Sequence, residues 1–145
     1  MARIEQTVEI KRPTDKVFLY VTEAKSWPKW HSSMLAAEQS SQGKAGVGST
    51  FRGANKVMGR RMEWTSKATE YVPGKTWGET ISSGSTSIEE HLTLDSAGGG
   101  TKLTLVYNMK VGGFLRLVAP MVVSSMRKEM KTNLDTLKSI LEAQG

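Results

Sequence analysis

The sequence predicts an α+β fold: a curved antiparallel sheet gripping one long C-terminal helix. Three observations lead there. Residues 50–110 read as short alternating segments separated by turns, with no helical pattern between them. The last third runs from a strand, Thr101 to Lys110, through Gly112-Gly113 into an apolar-striped helix reaching nearly to Gln144. No segment between strands is suited to a parallel crossover, so sequential strands joined by short turns form an antiparallel meander. A sheet curled around a helix tends to leave a cavity between them, which makes the predicted molecule a container.

Ala2 to Ile10 alternates, with Ile4, Gln6, Val8 and Ile10 on one face and Arg3, Glu5, Thr7 and Glu9 on the other, as a half-buried strand does. Pro13 suits the first turn of a short helix, where a missing N–H costs nothing. Asp15 adds negative charge where the helix dipole favours it, and Val17, Phe18 and Val21 share one face. Pro28 disfavours a helical conformation in the residue before it, so Trp27-Pro28-Lys29-Trp30-His31 is expected to be a turn. A weak strand is expected over Ser33 to Gln39, and a loop punctuated by Gly43, Gly46 and Gly48 before a strand from Thr50 to Val57. Met58-Gly59-Arg60 reads as a hairpin turn, and Arg61 to Val72 as the next strand. Pro73-Gly74 is a strong turn signal. Lys75 to Ile81 and Thr86 to Leu94 follow as strands around Ser82-Ser83-Gly84-Ser85. The turn Ser96-Ala97-Gly98-Gly99-Gly100 leads to the last strand.

In the C-terminal segment Met126, Met130, Leu134, Leu137 and Leu141 mark one apolar helical face. The helix is expected to be continuous from about Val122 to Leu141. Pro120 leaves Phe114 to Ala119 as either a separate turn or the kinked head of the helix.

Composition narrows the chemistry. The chain has 145 residues, enough for a real core and fitting one domain, taken as residues 1–145. It contains no cysteine, which excludes disulfides and thiolate chemistry. With only His31 and His91, a metal site would need carboxylates to complete it, and none is expected. The N-terminus lacks an apolar signal core, and no apolar run approaches the ~20 residues that span a bilayer. Both point to a cytoplasmic location without integral membrane association. The net charge of +6 comes from scattered basic residues, apart from Arg60-Arg61 and Arg127-Lys128 with Lys131, and reads as a solvated surface. Gly43 to Ser49 lacks the lysine and spacing of a phosphate-binding loop. The four tryptophans are not interleaved with basic residues, so no nucleic-acid partner is expected.

Strand alternation identifies the side chains that face the cavity. Phe51 and Val57 carry Gly53 and Asn55 inward; Met62 and Trp64 carry Ser66 and Ala68; Trp77 and Ile81 carry Glu79; Ile88, Leu92 and Leu94 carry Glu90; Leu103, Leu105 and Met109 carry Tyr107. A bulge would flip any of these. Glu79 and Glu90 stand out, because carboxylates are rarely buried unless paired. Desolvated, they would keep their protons to higher pH and could carry protons; placed at the rim or paired with a lysine or arginine, they would be ordinary ion-pair partners. Tyr107 and Asn55 could orient a polar group of a ligand, or be satisfied by backbone or water. Trp30 sits near the expected cavity mouth. His31 beside it is expected to be an exposed loop residue, and His91 falls on the outer face. Met109, Met121, Met126 and Met130 supply flexible thioethers that suit variable ligands and equally suit an ordinary core. The expected ligand-binding set is therefore Trp30, Phe51, Asn55, Met62, Trp64, Trp77, Glu79, Glu90, Tyr107, Met121 and Met126, with Glu79, Glu90 and Tyr107 as the candidates for catalysis.

Four segments carry a resemblance to a known family. Pro13-Thr14-Asp15-Lys16-Val17-Phe18, Trp27-Pro28-Lys29-Trp30, Val47-Gly48-Ser49-Thr50-Phe51 and Gly99-Gly100-Thr101-Lys102-Leu103 resemble, in order and across essentially the whole chain, the START-related helix-grip superfamily, in its polyketide cyclase/dehydrase and lipid-transport branch. The resemblance implies about seven antiparallel strands wrapped on the long helix, with two short helices closing one end. It also implies three classes of function. The first is binding of a small hydrophobic or amphipathic ligand, with no cofactor required. The second is cyclisation or dehydration of a polyketide-like chain, with Glu79, Glu90 or Tyr107 handling protons. The third is protein interaction of the co-chaperone type through the outside of the sheet.

Overall fold

The computed structural model describes residues 2–144, apart from the side chain of Phe114. Seven strands form one antiparallel sheet: β1 (Ala2–Ile10), β2 (Met34–Gln39), β3 (Thr50–Val57), β4 (Arg60–Val72), β5 (Thr76–Ser83), β6 (Thr86–Ala97) and β7 (Gly100–Lys110). Their spatial order is β1-β7-β6-β5-β4-β3-β2. Strands β2 to β7 are therefore a meander, and β1 closes beside β7 at the far edge. The chain passes between those two edges through α1 (Thr14–Val21) and α2 (Trp27–Trp30). A 3-10 turn, Gly113–Val118, then leads into α3 (Ala119–Ala143), 25 residues long.

Two-residue turns set the register. Met58 and Gly59 both have positive φ, 50° and 80°, and so do Gly98 and Gly99, 56° and 83°. Tight hairpins of this kind twist with the strands they join and favour glycine for that reason. The strands consequently run to the turns themselves: β6 extends to Ala97 and β7 begins at Gly100, so the glycine-rich turn shrinks from five residues to Gly98-Gly99. Likewise β5 reaches Ser83, and Gly84-Ser85 is the whole turn.

The prolines occupy places that spare a backbone N–H. Pro13 is the N-cap of α1 rather than part of its first turn, and its carbonyl accepts the N–H groups of Lys16 and Val17 at 3.1 Å each. The tryptophan segment is not a simple turn. Trp27 is helical, at φ −56° and ψ −47°, and Pro28 lies in the first turn of α2. The steric bias against a helical residue before proline is outweighed here by burial of Trp27 and Trp30. Pro120 lies in the first turn of α3 in the same way; the helix starts at Ala119, three residues earlier than the apolar stripe alone indicates, and the 3-10 turn before it is a separate element.

The core lies between the concave face of the sheet and α3. Met130, Leu134, Leu137 and Leu141 are buried on the helix side, with Val122 extending the stripe towards the N-terminus. Ile4, Ile10, Phe51, Leu92, Leu103, Leu105 and Met109 meet them from the sheet. A bulge at Thr69, between the pairs Ala68↔Glu79 and Glu70↔Gly78, shifts β4 so that Tyr71 comes opposite Trp77. Tyr71 then packs edge-on against Trp77 and Phe18, with ring centroids at 6.0 and 5.2 Å, and so ties α1 to the sheet.

Gly53 carries a specific constraint. A Cβ there would collide with the Ala36 carbonyl oxygen and the ring of Trp64. Gly53→Ala is expected to destabilise the fold by about 1–3 kcal/mol, as overpacked sites do, and to displace Trp64. Urea unfolding together with Trp64 fluorescence checks both; a wild-type midpoint and spectrum would show that the indole is not held against Gly53.

Candidate functional site

A cavity of about 140 Å³ opens between the sheet and the N-terminal half of α3. Met34, Val57, Met62, Trp64, Ile81, Ile88, Leu92 and Leu105 form its sheet side, Leu115, Val122, Met126 and Met130 its helix side, and Trp27, Trp30 and His31 its end wall. The cavity lies here because the C-terminal half of α3 buries Leu134, Leu137 and Leu141 directly on the sheet, while the N-terminal half meets it through methionines. A larger open groove of about 840 Å³ runs over the outer face along Glu38, Arg52, Arg61 and Glu63. Its Arg52–Glu38 ion pair is solvent-exposed on both sides, and it has none of the enclosed apolar wall of the inner cavity.

A row of polar side chains crosses the cavity floor. Glu79 of β5 pairs directly with Glu90 of β6, and Glu90 pairs directly with Tyr107 of β7. Both carboxyls are buried, at 5% and 8% exposure. Ser66 donates to Glu79 Oε2 at 3.2 Å. The Tyr107 hydroxyl and the Trp77 indole N–H donate to Glu90. Among the described residues, no lysine or arginine lines the cavity. Burial, and then the neighbouring Glu90 charge, holds the Glu79 pKa well above the ordinary carboxyl value. Burial raises Glu90 to about 7 despite its two donors. Like charges directly opposite on adjacent strands repel, so the pair retains a proton near neutrality. Tyr107 is also raised, first by burial and then by the two carboxyls, and stays a donor.

A second polar group lies at the end wall. Asn133, buried on α3, accepts the Ser32 N–H at 2.9 Å and lies 3.4 Å from His31 Nδ1. Glu129, one turn earlier, accepts from Ser32 Oγ at 3.1 Å. His31 stacks on Trp30, with ring centroids 3.8 Å apart, and burial lowers its pKa to about 3. It is a neutral wall residue and not the exposed loop histidine expected. On the sheet side, Trp64 Nε1 donates to Asn55 Oδ1 at 2.8 Å, and Asn55 Nδ2 donates to Ser33 Oγ at 3.1 Å. Asn55 therefore orients Trp64.

The structure places Trp30, Asn55, Met62, Trp64, Glu79, Glu90, Tyr107 and Met126 on one cavity. Three expected members lie elsewhere. Met121 is 63% exposed, because α3 starts at Ala119 and turns that position to solvent. Phe51 and Trp77 are buried behind the cavity wall, where Trp27 packs on both with centroids 5.0 and 6.2 Å away. Trp27, His31, Glu129 and Asn133 reach the cavity without having been singled out for it. Asn133 is one residue before Leu134 of the apolar stripe, and a polar residue beside such a stripe was the available signal. His91 lies outside, 3.8 Å from Glu70.

Fold and cavity together define a helix-grip protein. The chain belongs to the family described as polyketide cyclase / dehydrase and lipid transport, whose model matches residues 1–142. Among solved structures it is similar to the protein TTHA0849 from Thermus thermophilus, at 16% identity and TM-score 0.83, with 99% of each chain covered. A START superfamily protein from Mycobacterium smegmatis is similar at 14% identity and TM-score 0.81, again with 99% of each chain covered. Ara h 8.0201 superposes at 17% identity and TM-score 0.74, with 98% of each chain covered. No curated protein matches the chain. Among the described residues no helix is long and apolar enough to cross a membrane, and no group of three or more histidine, aspartate or glutamate side chains is arranged to hold a metal.

The carboxyl pair and His31 predict opposing pH dependences of stability. A carboxyl whose folded pKa is raised holds a proton that the unfolded chain has lost, so stability falls as pH climbs from about 4.5 through the raised value. A histidine whose folded pKa is lowered works the other way: stability rises from about 3 to 6.5. Above pH 6.5 only the carboxyl effect remains, and urea midpoints are expected to fall between about pH 6.5 and 8. Glu90→Gln should flatten that decline and raise the midpoint at the alkaline end. A wild-type-like decline in the variant would mean that Glu90 is not its source, and no decline in the wild type would mean that the pair is solvated.

Proposed function

We propose that the chain binds a small hydrophobic or amphipathic molecule in the cavity between sheet and α3. The observation that carries this reading is an enclosed apolar cavity whose floor bears the opposed pair Glu79–Glu90 with Tyr107. Binding pockets are mostly apolar with a few convergent polar groups. A cavity of about 150 Å³ accommodates a benzene-sized ring, and the present 140 Å³ is of that size. Larger ligands are accepted by rotation of Met34, Met62, Met126 and Met130, since an unbranched thioether side chain repacks readily. The partner is a small molecule rather than nucleic acid, no cofactor is needed, and the cytoplasm is the proposed location.

An environment-sensitive apolar dye is expected to bind and to be displaced by material extracted from the purified protein, which mass spectrometry then identifies. Met126→Trp should weaken the dye by filling its space, and Met126→Ala should accept a larger one. Equal dye affinity in all three proteins would place the binding elsewhere.

One observation favours an enzymatic reading alongside. Glu79 and Glu90 retain a proton near neutral pH, as a general acid must. Either could protonate a ligand carbonyl or take a proton from an adjacent carbon while Tyr107 holds the oxygen. Cyclisation of a short poly-β-ketone should then be accelerated. Glu90→Gln should cut kcat by roughly 100-fold or more, as loss of a general acid–base does, with KM within a few-fold. No acceleration by the wild type leaves the binding reading alone.

A further inference from the structure

The cavity is lined by acidic side chains and no cationic one among the described residues, on a protein that is basic overall. The chain is +6 overall, yet Glu79, Glu90 and Glu129 line the cavity, no lysine or arginine does among the described residues, and His31 is kept neutral by its burial. The acidic groups come from separate elements that converge: β5, β6 and α3. Tyr107 of β7 is the remaining titratable group on the floor, and it donates a hydrogen bond and offers no cation. A buried carboxylate without a cationic partner is costly. Here the protein supplies only hydroxyl and indole donors to these carboxyls.

A second observation is independent of the acids. Trp30 is 3% exposed and lines the same cavity, and its indole Nε1–H is buried without a hydrogen-bond partner. The other two cavity tryptophans are satisfied: Trp27 donates to the Val21 carbonyl and Trp64 to Asn55, each at 2.8 Å. Buried indole N–H groups nearly always have a partner. The end wall therefore holds a buried donor without an acceptor, while the floor holds carboxyls without a cationic partner among the described residues.

From these two features we propose that the ligand of this cavity is an amphipathic amine that also carries an oxygen acceptor, its ammonium seated on Glu79 and Glu90, its apolar body against the methionines, and its oxygen on the Trp30 N–H. This rests on the small-molecule reading above and gives the ligand a chemical class. The ammonium supplies the positive charge that the floor lacks, and the tryptophan faces attract a cation further. The same arrangement rejects carboxylates, which would meet three acidic side chains. Seating the amine makes the ionised form of both floor carboxyls favourable, so the pair releases its retained proton to solvent on binding. Affinity should consequently rise with pH through neutrality, until the amine itself loses its charge.

Benzylamine, benzyl alcohol and benzoate form a matched set with a ring that the cavity fits, and calorimetry or NMR shifts in mildly alkaline buffer give their affinities. Benzylamine is expected to bind roughly tenfold more tightly than benzyl alcohol, the gain typical of one charge-assisted hydrogen bond, and benzoate more weakly than both. The double variant Glu79→Gln, Glu90→Gln keeps the side-chain shape and removes the repulsion, so it should fold; the ratio of amine to alcohol should fall towards one. In wild type, 4-methoxybenzylamine should bind more tightly than 4-ethylbenzylamine, and Trp30→Phe should erase that difference.

Benzoate binding as well as benzylamine, or an amine preference that survives the double variant, overturns the amine assignment. Equal binding of the methoxy and ethyl compounds to wild type overturns the acceptor at Trp30. Benzyl alcohol binding without any amine preference sinks this proposal and leaves the cavity reading standing, whereas failure of all three compounds and of the apolar dye sinks both.

Discussion

The apolar stripe of α3 against the concave sheet is the constraint on which the other features depend. A twisted sheet and a straight helix cannot stay in contact along 25 residues. Contact is closest where Leu134, Leu137 and Leu141 are fully buried. Towards the start of the helix the surfaces part, and the methionines and Leu115 bridge the gap. The cavity occupies that wedge. Its end is closed by α2, because Trp27 and Trp30 are too large to remain in solvent once the sheet offers them a wall.

That closure also sets the electrostatics. With Trp27, Trp30 and α3 in place, Glu79 and Glu90 lose water, and nothing cationic among the described residues replaces it. The two carboxyls face each other across adjacent strands and relieve their repulsion by keeping a proton. A site held in this way is poised for proton transfer or for a ligand that brings positive charge. Structural carboxylates are seldom left so, because buried acids are ordinarily paired. The lysines and arginines of the chain lie away from the cavity lining, where salt screens those that are exposed and they do not reach the pair.

The turns translate local backbone preference into the site. Two residues at Gly84-Ser85 put Glu79 opposite Glu90, and two at Gly98-Gly99 put Glu90 opposite Tyr107. A four-residue turn over 82–85 would instead have set Glu79 opposite Ile88. The five-residue turn suggested by the glycine run over 96–100 would have moved Tyr107 away from Glu90. Glycine composition marks a turn, while its length follows from which φ signs the strand twist requires, and that is a property of paired strands.

Much of the architecture was therefore legible from local pattern. Alternation determined which face Glu79, Glu90, Tyr107, Trp64 and Asn55 occupy, because side chains of a strand point alternately whatever it pairs with. The spacing of Met126 to Leu141 determined the buried face of α3 for the analogous helical reason. Tertiary structure decided what those faces meet. It turned Met121 to solvent, set Phe51 and Trp77 behind the cavity wall rather than on it, made a helix of the Trp27–Trp30 segment, and brought His31, Glu129 and Asn133 to the cavity. None of these is fixed by neighbours in sequence: each depends on register, on the Thr69 bulge, or on which large side chains must be covered once sheet and helix have closed.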